Sequence, residues 1–523
     1  MAFMTKLLRP NPISLHRNCS KAPIPKLKKA SNWKSVIGLE VHAQISSTSK
    51  LFSASSTKIS NPLNTNVSLF DAATPGTLPV LNKHCVEAGV LTALSLNCKV
   101  NPVSYFDRKH YFYADMPAGY QITQQRAPLA SEGVLDFHVF TPGVHKNSYK
   151  TSARIKQLQL EQDSGKSLHD SDRSLVDLNR AGVPLMEVVF EPDLVDGEEA
   201  AALIKELMSI LERIETCSCK MEEGALRVDA NVSIHKNGKP LGIRTEIKNI
   251  GSVRGVAAAV KYEIERQIKI KEEGGVIVNE TRAWNPERRV TVAMRDKEVQ
   301  QDYRYMPEPN LPPLHVSMGP VSGGKINADE IKSRMPELPE QTRTRLKEEF
   351  GLSLNHSIIL VNEFCLLKIF EGALNGRSIN PSKLANFLIN ELNQVLNERN
   401  KEIRDLRLNV SHVGEIMELL DKGTINRSVA TLILVELIEG NTENPTKIVQ
   451  DNNWQQITNE QDLRDICNAV LTENEKGVQQ YLSGKSKVFK AFLGAVFKKS
   501  ETKADMKKCN DILKDLLAQR QKK

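Results

Sequence analysis

An α+β fold, with an antiparallel sheet first and helices after it, is what this 523-residue chain predicts. Three observations carry the expectation. Short runs of alternating polarity fill the stretch from about 36 to 315. The pair Asn237-Gly238 between two such runs is a hairpin signal. Beyond Leu311-Pro312-Pro313-Leu314 the alternation gives way to helical periodicity.

Residues 1 to 35 hold eight Lys and Arg and no acid. Interrupted by Pro10, Pro12, Pro23 and Pro25, and without a continuous apolar stretch, this leader fits a mitochondrial presequence over 1–32 rather than a secretory signal. The first strand follows. In Gly38-Leu39-Glu40-Val41-His42-Ala43-Gln44 a period of two puts Glu40, His42 and Gln44 on one face and the apolar residues on the other. Two later runs repeat the device: Leu226 to Ile234 gathers Arg227, Asp229 and Asn231, and Gly242 to Asn249 gathers Arg244, Glu246 and Lys248. A single polar face is usually a solvated sheet surface, but three of them, with Met221-Glu222-Glu223-Gly224 leading into the second and Glu161, Asp163 and Lys166 close together elsewhere, suggest a site.

Helices are expected behind the sheet. Asp196 with Glu199 makes a capping signal ahead of the stripe Leu203, Leu207, Ile210, Leu211 and Ile214; a second helix, about 253–272, carries Val256, Ala259, Val260 and Ile264 and stops at Gly274-Gly275. Gly319 to Lys325 reads as a linker, 326–405 as one helical unit, and 406 onward as a helical tail whose last forty residues hold twelve bases and four acids. Between leader and tail the chain is acidic, at −8. An acidic body suits bound metal and a basic end suits a phosphate backbone, although a lysine-rich helix is also an ordinary solvated face.

The composition, 40% hydrophobic and 26% charged, is that of a soluble multidomain protein, and no apolar run approaches a membrane span. Eight cysteines without zinc or disulfide spacing fit a reducing compartment. Gly165-Lys166-Ser167 matches the end of a P-loop, but Leu160 stands where its first glycine belongs, and no Gly-x-Ser-x-Gly elbow occurs. Phosphoryl transfer needs positioning and charge neutralisation rather than a protein nucleophile. Glu40, Glu161, Glu222 and Glu223 are hard oxygen ligands suited to Mg²⁺; His42 is the unusual member, which keeps a metal-dependent hydrolase open as a rival.

The ordered blocks Gly38-Leu-Glu-Val-His42, Pro75-Gly-Thr-Leu-Pro-Val-Leu-Asn82, Phe106-Asp-Arg-Lys-His-Tyr-Phe-Tyr113, Gly119-Tyr-Gln-Ile-Thr123, Asp163-Ser-Gly-Lys-Ser167, Leu175-Val-Asp-Leu-Asn-Arg180, Met221-Glu-Glu-Gly224, Glu246-Ile-Lys-Asn249 and Asp302-Tyr-Arg-Tyr-Met-Pro-Glu-Pro309 resemble the B subunits of the aspartyl/glutamyl-tRNA amidotransferases in their mitochondrial form. The resemblance covers nearly everything after the leader. It implies a glutamine synthetase-like cradle over 33–315, a helical domain over 316–405 and a YqeY-like, tRNA-contacting tail over 406–523. The implied activity is an ATP- and Mg²⁺-dependent ligase of the mitochondrial matrix. It phosphorylates the side chain of glutamate misacylated onto glutamine tRNA, and ammonia released from glutamine by an A subunit then displaces phosphate, with a C subunit completing a heterotrimer. A tRNA-holding scaffold without catalysis is the alternative.

Carried over by position, the resemblance implies metal ligation by Glu40, His42, Glu161, Glu222 and Glu223, catalysis by Glu40, His42, Arg227 and Asp229 with Arg227 as a phosphate clamp, and cofactor binding by Lys166, Lys248 and Asn249. Two departures stand out. Ser68-Leu69-Phe70-Asp71 occupies the place of a Cys-x-x-Cys zinc pair common in bacterial relatives, so no structural zinc is expected, and Thr502-Lys-Ala-Asp-Met506 replaces a familiar tail motif. Gln159 and Gln162 also stand where a histidine and an acid are common.

Overall fold

A computed structural model describes residues 32–58, 60–170, 172–294, 302–319 and 326–521. The expected leader, but for Asn32, and most of the expected linker lie outside them. In chain order the first part comprises β1 (Trp33–Gln44), α1 (Lys83–Ser95), β2 (Lys99–Val100), β3 (Val103–Ser104), β4 (Asp107–His110), β5 (Tyr120–Thr123), β6 (Ala130–Val139), β7 (Tyr149–Gln162), β8 (Lys166–Asp170), β9 (Arg173–Asp177), β10 (Pro184–Phe190) and α2 (Gly197–Arg213). It continues through β11 (Leu226–Lys236), β12 (Thr245–Lys248), α3 (Val253–Glu272), β13 (Thr281–Asn285), β14 (Val290–Ala293), β15 (Met306–Pro307), β16 (Leu314–Ser317) and β17 (Ile326–Asn327).

Nine of these strands form one sheet in the order β14-β13-β12-β11-β1-β10-β7-β6-β2, antiparallel except between β12 and β13. The period of two in β1 decides how the sheet is used. Leu39, Val41 and Ala43 are buried on the face that α2 and α3 cover, while Glu40, His42 and Gln44 look the other way. Both helices obey their sequence signals. The Asp196 side chain accepts from Glu199 N at 2.8 Å, and Leu203, Leu207, Ile210 and Leu211 are buried. Ser252 caps α3 by accepting from Gly255 N at 3.0 Å, and α3 ends at Glu272, two residues before Gly274 at φ +81°. Gly197 is needed for closeness: a Cβ there would run into the carbonyl oxygen of Ala257 on α3.

The Asn237-Gly238 signal holds in that β11 and β12 pair antiparallel across it, but the connection is longer than a tight hairpin. Gly238 takes φ +74° and Lys239 N bonds Lys236 O, so a turn forms at once, yet β12 does not begin until Thr245. The chain pinches at Gly242, where a Cβ would meet Ile234 O, and Arg244 lies just outside the pairing. A turn dipeptide reports a local reversal; the ladder after it depends on the partner strand.

A small sheet, β15-β4-β5, sits over the polar face, and β8 and β9 form a separate hairpin. Helices follow, beginning with α4 (Ala328–Ser333) and α5 (Pro339–Phe350). Among the described residues, apolar side chains gather into three separate cores: one spanning Ile37 to Ile331, one Leu346 to Val449, one Leu463 to Leu517. The expected division at 405/406 therefore runs through the second core. The helix Val410–Asp421 packs on the helix Phe364–Leu374, and Val413, Ile416 and Met417 fill the same interior as Leu367 and Phe370. No helix among the described residues is long and apolar enough to cross a membrane.

Candidate functional site

The register of the sheet lines up polar residues that lie far apart in sequence. His42 stands opposite Glu187 of β10 on one side and Arg227 of β11 on the other, and Glu187 stands opposite Gln159 of β7. In the neighbouring row Glu40 faces Asp229, and farther along β7 Glu161 faces Leu185. Directly opposed residues of antiparallel strands share a face. The outcome is the floor of a cleft of about 1360 Å³ roofed by Lys109 of β4, Gln121 of β5, Tyr111 just after β4, and Tyr303 and Tyr305.

Glu40, His42 and Glu187 each present a ligand atom within 4.8 Å of the others. His42 Nε2 lies 3.8 Å from Glu40 Oε1 and 3.9 Å from Glu187 Oε2. Burial, reinforced by Arg227, Lys109 and Lys248, holds the His42 imidazolium well below its ordinary pKa, so the ring is neutral and keeps a lone pair. Burial first, then the charges of Glu161 and Glu40, pushes the Glu187 carboxyl well above its ordinary range. Carboxylates crowded in this way are what a divalent cation relieves. Glu161 adds a second sign: Gln121 Nε2 donates to its Oε1 at 2.6 Å, while the buried Oε2 has no hydrogen-bond partner. Such an orphaned carboxylate oxygen beside the trio suits a hard cation with oxygen ligands.

The cations differ in how they are held. Arg227 Nη2 donates to Asp163 Oδ2 at 2.9 Å, and its buried Nε has no partner. Lys248 Nζ lies 2.9 Å from Asp229 and 3.1 Å from Glu246. Burial raises the Asp229 pKa despite that ammonium. Asn249 lines the cleft at φ +62°, the left-handed region that Asn tolerates better than most residues.

Of the residues singled out in the sequence, Glu40, His42, Glu161, Arg227, Asp229, Lys248 and Asn249 line the cleft. Glu222, Glu223 and Lys166 do not. Both glutamates are exposed on the turn before β11, where Glu223 pairs with Lys220 at 2.8 Å, and Lys166 is exposed at the start of the β8–β9 hairpin, opposite Asp177. Neighbourhood in sequence placed them near the site; the turn directs their side chains into solvent. Glu187 and Lys109 are among the cleft residues that the sequence did not single out. Glu187 is the one acid in the apolar strand Pro-Leu-Met-Glu-Val-Val-Phe, and a carboxylate in a central strand buried on both faces is itself a signal. Lys109 lies in a four-residue strand, too short to show a period.

At the place of the zinc-pair motif the structure builds an ion pair. Lys50, wholly buried, reaches Asp71 Oδ2 at 3.1 Å, and Ser53 Oγ and Ser68 N also donate to Asp71.

Known proteins agree with this architecture. Residues 35–321 match the family model described as the GatB/GatE catalytic domain, and 368–517 match the one described as the GatB domain. The B subunit of the mitochondrial glutamyl-tRNA(Gln) amidotransferase of Aedes aegypti is 54% identical, with 99% of each chain covered. The Homo sapiens protein of the same name is 45% identical over 94% of this chain and 90% of its own. The B subunit of the aspartyl/glutamyl-tRNA(Asn/Gln) amidotransferase of Rickettsia typhi is 43% identical over 93% of this chain and 98% of its own.

Proposed function

The chain belongs to the GatB/GatE family, and on that premise we propose that it is the mitochondrial B subunit that converts Glu-tRNA(Gln) to Gln-tRNA(Gln), with the cleft described above as its kinase and transamidase site. The observation that carries the assignment of the cleft is the trio Glu40, His42 and Glu187, with the unpartnered Glu161 oxygen, in a cleft that Lys109, Arg227 and Lys248 also line. That is the charge arrangement phosphoryl transfer requires: acids for a metal, cations for the phosphate, and no protein nucleophile. The runner-up is a scaffold that holds tRNA while chemistry occurs elsewhere.

In this reading Glu40, His42 and Glu187, with Glu161 lining the same cleft, would hold a magnesium ion, which would supply charge neutralisation at the phosphate oxygens of ATP. Gln159 donates to Glu187 Oε2 at 2.6 Å and so fixes one ligand; Gln121 fixes Glu161 in the same way. Asp163 restrains Arg227, whose remaining donors face the phosphates. Asp229 and Glu246 hold Lys248 at the far wall of the cleft. Partner subunits of A and C type supply ammonia and complete the assembly, and the exposed lysines of the tail meet the tRNA backbone.

The test is conversion of Glu-tRNA(Gln) by the complex with its A and C partners, supplied with glutamine or with ammonium, ATP cleavage being followed in parallel. Conversion from both nitrogen sources, lost from both in Glu40→Gln, is the expected result. Turnover that survives the change would move the chemistry away from the cleft and leave the scaffold reading.

A further inference from the structure

The turn between α2 and β11 gathers sulfur. Thr216-Cys217-Ser218-Cys219-Lys220 places two thiols one residue apart, and the backbone bends sharply around them, with Glu215 at φ +58° and Cys219 at φ +57°. Both values lie in the left-handed region that residues other than Gly, Asn and Asp seldom adopt. The bend brings the two thiols into contact. Cys219 N donates to Cys217 Sγ at 3.3 Å, and Cys219 Sγ lies 3.7 Å from Cys217 O. The Cys219 thiol, turned toward its neighbour, draws the Cys217 pKa down although burial opposes it. At Cys85 and Cys98 burial dominates instead and pushes the thiols up to about 11 and about 12.

Cys217 is only 2% exposed, yet it lines a cavity of about 400 Å³ between this turn and the helix Phe364–Leu374, whose Cys365 lines it too. A solute the size of hydrogen peroxide has room to reach its sulfur. The turn is also tied to the floor of the cleft. Cys217 Sγ donates to Ala225 O at 3.4 Å, and Gln44 N donates to the same carbonyl at 2.8 Å. Ser46 N donates to Thr216 O at 2.9 Å, so both ends of the turn hang on the end of β1. The next residues, Leu226 and Arg227 of β11, stand opposite Ala43 and His42. One hydrogen bond therefore links the thiol pair to the start of the strand that carries Arg227.

We propose that Cys217 and Cys219 are a peroxide-sensitive dithiol, a site of reversible oxidation that closes to a disulfide and slows the chemistry of the cleft by displacing the start of β11. The dithiol stands on the geometry of the turn; its effect on turnover rests on the function proposed above. In the first step the Cys217 sulfur attacks one oxygen of hydrogen peroxide. The sulfur–oxygen bond forms, the oxygen–oxygen bond breaks, and the leaving hydroxide takes the thiol proton to become water. In the second step the Cys219 sulfur attacks the sulfenic sulfur, the disulfide forms, the sulfur–oxygen bond breaks, and hydroxide leaves with the Cys219 proton. Two electrons pass from the thiols to peroxide, which ends as two waters. One intervening residue keeps the two Cα atoms within about 7 Å, the reach of a disulfide. Closure removes the proton that Cys217 gave to Ala225 O, and a thiol reductant restores it.

The test uses the assembled complex with its A and C partners, fully reduced and then treated with hydrogen peroxide. Mass spectrometry of the peptide that holds both cysteines should show the loss of two hydrogens, reversed by dithiothreitol. Phenylarsine oxide, which bridges paired thiols with release of one water, should find one site more on wild type and on Cys365→Ser than on Cys217→Ser or Cys219→Ser. Conversion of Glu-tRNA with ATP and ammonium is expected to fall about tenfold or more in oxidised wild type and oxidised Cys365→Ser, as displacement of a positioning group does, and to recover on reduction. Cys217→Ser and Cys219→Ser, active when reduced, should keep their turnover under peroxide. If a serine variant does not assemble, the peptide mass of the wild type decides. A peptide that peroxide leaves as two thiols, a disulfide found to Cys365 instead, a disulfide that leaves turnover unchanged, or an equal loss of turnover in both serine variants overturns the proposal. A wild-type complex without any turnover sinks the function proposed above, while the mass and arsenical readouts still decide the dithiol.

Discussion

At the scale of residues, the cleft works by contrast between charges that are matched and charges that are not. Glu187 was invisible to alternation because it lies in a run of apolar neighbours, yet the register places it directly across from His42. Changing it should therefore resemble changing Glu40 or His42. Glu40→Gln, His42→Ala and Glu187→Gln are each expected to abolish ATP-dependent amidation while leaving assembly intact, and activity titrated against Mg²⁺ checks them. Glu222→Gln with Glu223→Gln should stay within about twofold of wild type, as exposed side chains away from special features do. Away from the cleft, Lys50 and Asp71 make a buried pair; burial lowers the Lys50 pKa, and Asp71 opposes that shift. Lys50→Met leaves Asp71 without its cation and should cost about 3–5 kcal/mol. Replacing both residues with apolar ones should cost less, as urea unfolding of the two variants would show.

Among elements, the helices were the most legible and the strand pairings the least. The cap at Asp196 and the stripe from Leu203 to Leu211 are local facts, written close together in the chain, and α2 forms where they say. The Asn237-Gly238 turn was local too, but the length of β12 depends on β11 and β13, and sequence alone does not fix it. Close approach of elements is similarly hidden. Gly197 lies against Ala257, so Gly197→Val should force α2 from α3 and destabilise the first part of the chain by about 1–3 kcal/mol, read as a lower urea midpoint.

Over the whole molecule, charge and core divide the chain differently. The basic end belongs to a unit with its own core, in which Phe492, Val496, Cys509 and Leu513 pack on Leu463 and Cys467. Deleting 484–523 would remove much of that core, so charge neutralisation is the better probe. Lys485, Lys487, Lys490 and Lys498 are exposed. Replacing them with Gln should weaken tRNA binding and reduce the slope of log K against log salt by about 0.7–0.9 for each phosphate no longer neutralised; an unchanged slope would make these lysines an ordinary solvated face. By itself the sequence determined the α+β class, the polar face of β1, the two helices behind the sheet and the basic character of the tail, because each is set by spacing or composition within a short window. Only the tertiary structure decided which acids share the cleft, that Glu187 and Lys109 join them and Glu222, Glu223 and Lys166 do not, and where the cores separate. Those outcomes depend on strand register and helix packing between residues far apart in the chain, and no local window contains both partners.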